Sequence, residues 1–176
     1  MSREPIPLHN LVLPPFAAWD RKWFLLTAGE NRPGGYNAMT VSWGGLGWLW
    51  GRALAMVVVR PTRHTYLFME KCDMFSLCAF ADKYRPVLQE ILGKRSGREL
   101  DKIQAAGLTP VPLAQTAAPG FAEAELALAC RKTYYHDLDP QHFMAGYIEE
   151  NYRNDYHRVY FGEVLAVEGT PEYRRP

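Results

Sequence analysis

The sequence predicts a mainly β fold, an antiparallel barrel with short helical insertions, on three observations. Aromatic residues make up 13% of the chain beside fourteen glycines and thirteen prolines, a composition of short aromatic strands framed by tight turns rather than of long helices. Strand-like segments lie on both sides of a few helical ones, without the strand and long-helix alternation of a doubly wound parallel sheet. The last strand-like segment is apolar at both parities, so both of its faces are expected to be covered, one of them by a second copy in a homodimer.

The elements follow in order. Trp23 to Ala28 is a short apolar strand, and Gly29 to Gly35 has the density of Gly, Asn and Pro that a hairpin loop needs. Asn37 to Trp43 alternates, with Asn37, Met39, Val41 and Trp43 on one side and Ala38, Thr40 and Ser42 on the other. Gly44, Gly45, Gly47 and Gly51 then break a stretch holding Trp48 and Trp50, which predicts a bulge or loop in place of a regular strand. Ala53 to Val59 reads as a strand buried on both faces that delivers the chain to Arg60.

Pro61 stops that strand, and Thr62 is placed to cap a helix running over Arg63 to Lys71. Met74 to Phe80 is again strand-like. Two helical segments follow: Lys83 to Leu92, ended by Gly93, and a second one from Ser96, which has the spacing of a capping box with Glu99 and ends before Gly107. Leu126, Leu128 and Cys130 share one face of the next strand, with Glu125, Ala127, Ala129 and Arg131 on the other. In the last strand, Tyr156 to Val167, the residues Val159, Phe161, Leu165 and Val167 are grouped against Tyr160, Val164 and Ala166.

A length of 176 residues, 48% of them hydrophobic, fits one domain over residues 1–176 with a core of its own. Twenty Lys and Arg against nineteen Asp and Glu leave no cationic excess, so broad nucleic-acid binding is not expected. The first residues lack the basic and apolar pattern of a secretory signal, and the apolar stretches fall short of the roughly 20 residues that span a bilayer. Cys72, Cys78 and Cys130 form no disulfide or zinc spacing and read as reduced structural thiols. The expectation is a cytoplasmic protein with no membrane contact.

Metal pairs, phosphate loops and nucleophile elbows are missing from the sequence, and none of the five histidines has metal-pair spacing. Asp137 and Asp139 before Pro140 read as a turn. Two neighbouring segments remain. Asn37 to Trp43 offers backbone amides, small hydroxyls and the flat or soft side chains Met39 and Trp43 to the edge of a heterocycle. Arg60 to Tyr66 sets Arg60, Arg63, Thr62, Thr65 and His64 at the start of a helix, where free N–H groups favour an anion. That second segment fits a phosphate site or a Thr62 cap with exposed arginines equally well. A ring site beside a phosphate site has the shape of flavin mononucleotide.

At these residues the sequence resembles the flavin reductase-like family. The matching pieces are Asn37 to Gly44, Arg60 to Tyr66, Lys94-Arg95-Ser96-Gly97-Arg98-Glu99-Leu100-Asp101-Lys102, and Ala106-Gly107-Leu108-Thr109-Pro110, in the family's order and spacing, and the similarity runs from about Trp19 to Val167. The resemblance implies a Greek-key split β-barrel that binds FMN. It implies that Asn37, Met39, Thr40, Val41, Ser42 and Trp43 border the isoalloxazine, largely through backbone, and that Arg60, Arg63, His64 and Thr65 form the phosphate end. It puts Lys94 and Ser96 near ring or substrate, whereas the residues alone make Ser96 a helix cap and leave Arg98, Asp101 and Lys102 on a solvated face.

The activity so implied is that of an NAD(P)H-dependent flavin reductase, with NADH or NADPH as donor and free flavin, a ferric complex or a redox protein as acceptor. Passing a hydride through bound FMN depends on orientation more than on a catalytic dyad, so none is assigned. The alternatives are a flavoredoxin-like electron carrier without a nicotinamide site, and a noncatalytic flavin or haem binder whose Trp48 and Trp50 meet a partner.

Overall fold

The structure is a computed structural model that describes residues 2–152 and 154–175. Its strands are β1 (Glu4–Pro5), β2 (Phe24–Gly29), β3 (Tyr36–Val41), β4 (Gly44–Leu49), β5 (Arg52–Val59), β6 (Met74–Phe80), β7 (Pro110–Val111), β8 (Gly120–Phe121), β9 (Ala124–Asp137) and β10 (Arg158–Gly169). Helix α1 is His64–Lys71; α2, Arg85–Val87, continues as a π-helical turn over Leu88–Gly93; α3 is Lys102–Ala105. The main sheet is antiparallel in the order β3-β2-β6-β9-β10-β5-β4, with β1 added alongside β10. Among the described residues, no helix is long and apolar enough to cross a membrane.

Strands β3 and β4 are the two ends of that order, yet only Ser42 and Trp43 separate them in the chain. Three Cα steps span at most about 11 Å. The sheet must therefore curl until its edges nearly meet at this corner, which makes it a split barrel. Gly44 permits the curl, because a Cβ there would lie 2.4 Å from the Trp19 ring and from the Met56 carbonyl.

Both faces of the central strands β2, β6 and β9 are buried. Phe24, Leu26, Phe75, Leu77, Leu126, Leu128 and Cys130 fill the interior. Leu25, Cys78, Ala127 and Ala129 face outward under Leu88, Leu92, Ile103 and Phe121 from the helical insertions. Cys78 and Cys130 are buried free thiols, and burial pushes the Cys78 pKa up to about 12.

Four local expectations are corrected. Gly44 to Leu49 is a regular edge strand, because an edge strand needs only its backbone ladder to β5, and the turn at Trp50 and Gly51 takes φ values of 53° and 70°. In β10 the pairing slips between Val164 and Ala166, so that Val167 joins Tyr160 and Val164 in the interior while Ala166 faces the helical layer. Helix α1 has Arg63 at its N-cap with no side-chain bond, and the Thr62 hydroxyl donates to Asp155 Oδ2 at 2.9 Å instead. Helix α3 begins only at Lys102, because Asp101 Oδ1 accepts from the Ile103 and Gln104 amides, each at 3.1 Å; Ser96 Oγ accepts from the Arg98 amide at 3.2 Å.

Candidate functional site at the barrel seam

A cleft of 380 Å³ opens where the sheet edges approach. Met39, Thr40, Val41, Ser42 and Trp43 line it from β3 and the seam, Val58 and Arg60 from the end of β5, Thr62 and Arg63 from the turn into α1, and Asp155 and His157 from the stretch before β10. Sequence reasoning brings Met39 to Trp43 together with Arg60 and Arg63, and so does the structure. Because β3 has only β2 beside it in the sheet, every second peptide group along its other edge is free of ladder bonds. These are the groups that a flat heterocycle with N–H and C=O edges would use.

The walls are chemically divided. Met39, Val41, Val58 and the indole of Trp43 supply apolar surface, and Trp43 remains 45% exposed. Its ring centroid lies 5.2 Å from that of His157, at an interplanar angle of 53°. Burial, then repulsion from Arg60, lowers the His157 pKa to about 4, so the imidazole is neutral at pH 7. His157 Nδ1 and the Tyr152 hydroxyl are in hydrogen-bond contact at 2.9 Å. The Thr40 hydroxyl is occupied, donating to the Leu88 carbonyl at 2.6 Å, so Thr40 offers the cleft its backbone.

The cationic wall is Arg60 and Arg63. Arg63 is half-buried, donates to the Gly93 carbonyl at 2.6 Å, and has no carboxylate within ion-pair distance among the described residues. Desolvation, then repulsion from Arg60, lowers its pKa. A desolvated guanidinium pushed in that direction is a group that gains by meeting an anion. Arg60 Nη2 donates to the Asn151 carbonyl at 2.8 Å, its Nη1 lies 3.7 Å from Asp155 Oδ2, and its guanidinium sits over the Tyr152 ring.

The other predicted residues stand behind or outside the cleft. Asn37 and Thr65 are buried and joined, Asn37 Nδ2 donating to Thr65 Oγ1 at 2.6 Å. His64 packs edge-on against Phe68, with its Nδ1 buried and without a partner among the described residues; burial, Arg98 and Lys102 lower its pKa. Lys94 pairs with Glu90 on an exposed face at 2.8 Å, and Ser96 is engaged by the Arg98 amide. Neither lines the cleft. Lys102, expected on a solvated face, is only 5% exposed and donates to the Leu92 carbonyl at 2.9 Å. Its pKa is lowered to about 8 by burial and then by Arg63.

Sequence reasoning missed Val58, Asp155 and His157 as lining residues. Val58 lies two residues before Arg60 on an outward parity that the strand pattern contains. Nothing local in the sequence marks Asp155 or His157, which reach the cleft only because β10 returns beside β5.

A family model described as the flavin reductase like domain matches residues 20–175. No functionally curated protein matches the chain at the level of a significant alignment. Among solved structures, the chain is similar to the flavoredoxin of Desulfovibrio vulgaris (Miyazaki F), at 21% identity and a TM-score of 0.66 over 92% of this chain and 73% of that one. It is similar to an FMN-binding protein of Thermus thermophilus, at 21% identity and 0.64 over 93% and 84%. The NADH:FAD oxidoreductase of Streptomyces globisporus C-1027 aligns at 14% identity and 0.64 over 86% and 76%. At these identities the likeness speaks for the fold.

Proposed function

The chain belongs to the flavin reductase-like family, and from that premise we propose that its seam cleft holds FMN and that the protein is an NAD(P)H-dependent flavin reductase. One observation carries the reading: Arg63 is a half-buried guanidinium with no carboxylate partner among the described residues, next to Arg60, in the same cleft as a free strand edge and an exposed indole. These residues fit a phosphorylated flavin. FMN bound there supplies the redox chemistry, which the side chains of the cleft do not contain.

The protein's own part is binding and placement. Arg60 and Arg63 hold the phosphate, the free edge of β3 bonds the polar rim of the ring, and Met39 and Trp43 cover apolar ring surface. Neutral His157 closes the cleft beside Trp43 without adding a charge. Asn37, His64 and Thr65 support the phosphate end from behind, and Lys94 and Ser96, outside the cleft lining, take no part in holding it. The donor is NADH or NADPH, and the acceptor is a small flavin, a ferric complex or a redox protein.

Anaerobic mixing of the flavin-loaded protein with NADH and with NADPH tests this activity. Bleaching of the oxidised flavin band by either donor is expected. A flavin that stays oxidised with both donors makes the protein an electron carrier of the flavoredoxin kind. Trp48 and Trp50, 61% and 63% exposed on and beside edge strand β4, favour a macromolecular contact, and we place the expected homodimer interface there. A monomer in equilibrium sedimentation would remove that placement.

A further inference from the structure

The carboxylate of Asp155 occupies one hydroxyl donor, and pairs with the charge of one guanidinium, that the phosphate of a bound flavin would need. Its Oδ2 accepts from the Thr62 hydroxyl at 2.9 Å and lies 3.7 Å from Arg60 Nη1. Its charge also reaches Arg63 and His157, where it opposes the loss of their protons. Asp155 comes from the irregular stretch between β9 and β10, which is tied to the cleft at separate points. Arg60 Nη2 donates to the Asn151 carbonyl, Tyr152 meets His157, and Asn154 turns the backbone at a φ of 60° just before Asp155. Asn tolerates that left-handed conformation better than most residues, so the turn presenting the carboxylate is specified by sequence.

We propose that Asp155 is an internal competitor for the flavin phosphate, and that it thereby sets how readily the flavin exchanges; this rests on the flavin reading above. A phosphate monoester carries close to two negative charges at neutral pH and seeks charge-assisted bonds from guanidinium and hydroxyl donors. Arg60 and Thr62 cannot serve both anions at full strength. Either the carboxylate gives up Thr62 and Arg60, or the phosphate binds beside a like charge. Both routes lower the affinity of FMN, and neither acts on riboflavin, which has no phosphate. A binding state that must first be freed has its apparent affinity reduced by the fraction that is free. The consequence is specific: Asp155 narrows the gap between FMN and riboflavin and speeds release of FMN, as suits a protein that hands flavin on.

The experiment titrates FMN and riboflavin into the wild-type chain, Asp155→Asn and Asp155→Ala, following quenching of flavin fluorescence, with release rates from stopped-flow displacement. Both variants are expected to bind FMN about tenfold more tightly, with slower release, while riboflavin affinity stays within about twofold. Unchanged or weaker FMN binding in both variants, with riboflavin unaffected, would overturn the proposal and make Asp155 a positioning residue for Arg60. Equal tightening of both flavins would overturn it too, since the competition would then not concern phosphate. If the folded wild-type chain binds neither flavin, the flavin reading itself fails, which is a separate and recognisable result. Far-UV circular dichroism of both variants checks that they are folded, and the two substitutions differ in hydrogen-bonding capacity, so a local defect in one does not decide the outcome.

Discussion

Asn37 and Thr65 join the two segments on which the functional reading depends: Asn37 Nδ2 on β3 donates to Thr65 Oγ1 on α1 at 2.6 Å, with both residues buried. The bond fixes the distance between the strand that would border the ring and the turn that would hold the phosphate. Thr65→Val keeps the volume and removes the acceptor, leaving a buried amide short of a partner. A loss of about 1 to 3 kcal/mol is expected, seen as a lower urea midpoint at unchanged slope. FMN and riboflavin should both bind more weakly, because the relative placement of the two segments is disturbed rather than either contact alone.

Gly97 packs against Asn37 of that pair and against His64. A Cβ at position 97 would lie 2.0 Å from Asn37 Oδ1 and 3.1 Å from the His64 ring. Asn37 is held by Thr65 and cannot yield freely, so Gly97→Ala should destabilise the fold by about 1 to 3 kcal/mol. Thermal unfolding followed by circular dichroism measures it. A variant as stable as the parent would show that the 94–98 segment moves away without cost.

The neutral imidazole of His157 makes stability depend on pH. Its folded pKa of about 4 lies below the ordinary value of 6.5, so between these values the unfolded chain binds the proton and the folded chain does not. Stability is therefore complete above about pH 6.5, falls as the pH drops toward 4, and changes no further from this residue below that. In His157→Gln, the slope of urea stability against pH from 6.5 to 4.5 should be reduced. An identical slope in parent and variant would assign the acid sensitivity elsewhere.

Ring and phosphate contacts should separate in binding. Trp43→Ala removes ring surface from a side chain that is 45% exposed, and should weaken FMN and riboflavin alike, by about three- to tenfold. Titration with the two flavins reads this directly. A loss confined to FMN would place Trp43 at the phosphate rather than the ring.

The sequence makes the strands, the partial burial of both faces of β10 and the two segments Met39 to Trp43 and Arg60 to Arg63 legible, because period-two alternation and local motif spacing are local properties. What it hides depends on distant partners. Gly44 reads as a breaker because its reason, the Trp19 ring packed against it, lies well before it in the chain, and nothing in the structure requires glycine at Gly45 or Gly47. Ser96 resembles a helix cap, but Asp101, with its carboxylate, caps the shorter helix. Lys102 reads as a surface cation until the π-helical turn above it supplies the Leu92 carbonyl. The slip in β10 cannot be seen without the β9 register, and it moves Val167 to the opposite face from the one that simple alternation assigns. Asp155 and His157 come to the cleft by strand pairing alone.

The most direct test of the central claim is the affinity of the purified protein for FMN and for riboflavin, measured in the parent and in Arg63→Ala. If the seam cleft holds a phosphorylated flavin, the parent binds FMN, and Arg63→Ala weakens FMN by about ten- to a hundredfold while changing riboflavin by less than about threefold. A folded parent that binds neither flavin, or an equal loss of both flavins in Arg63→Ala, would contradict the account.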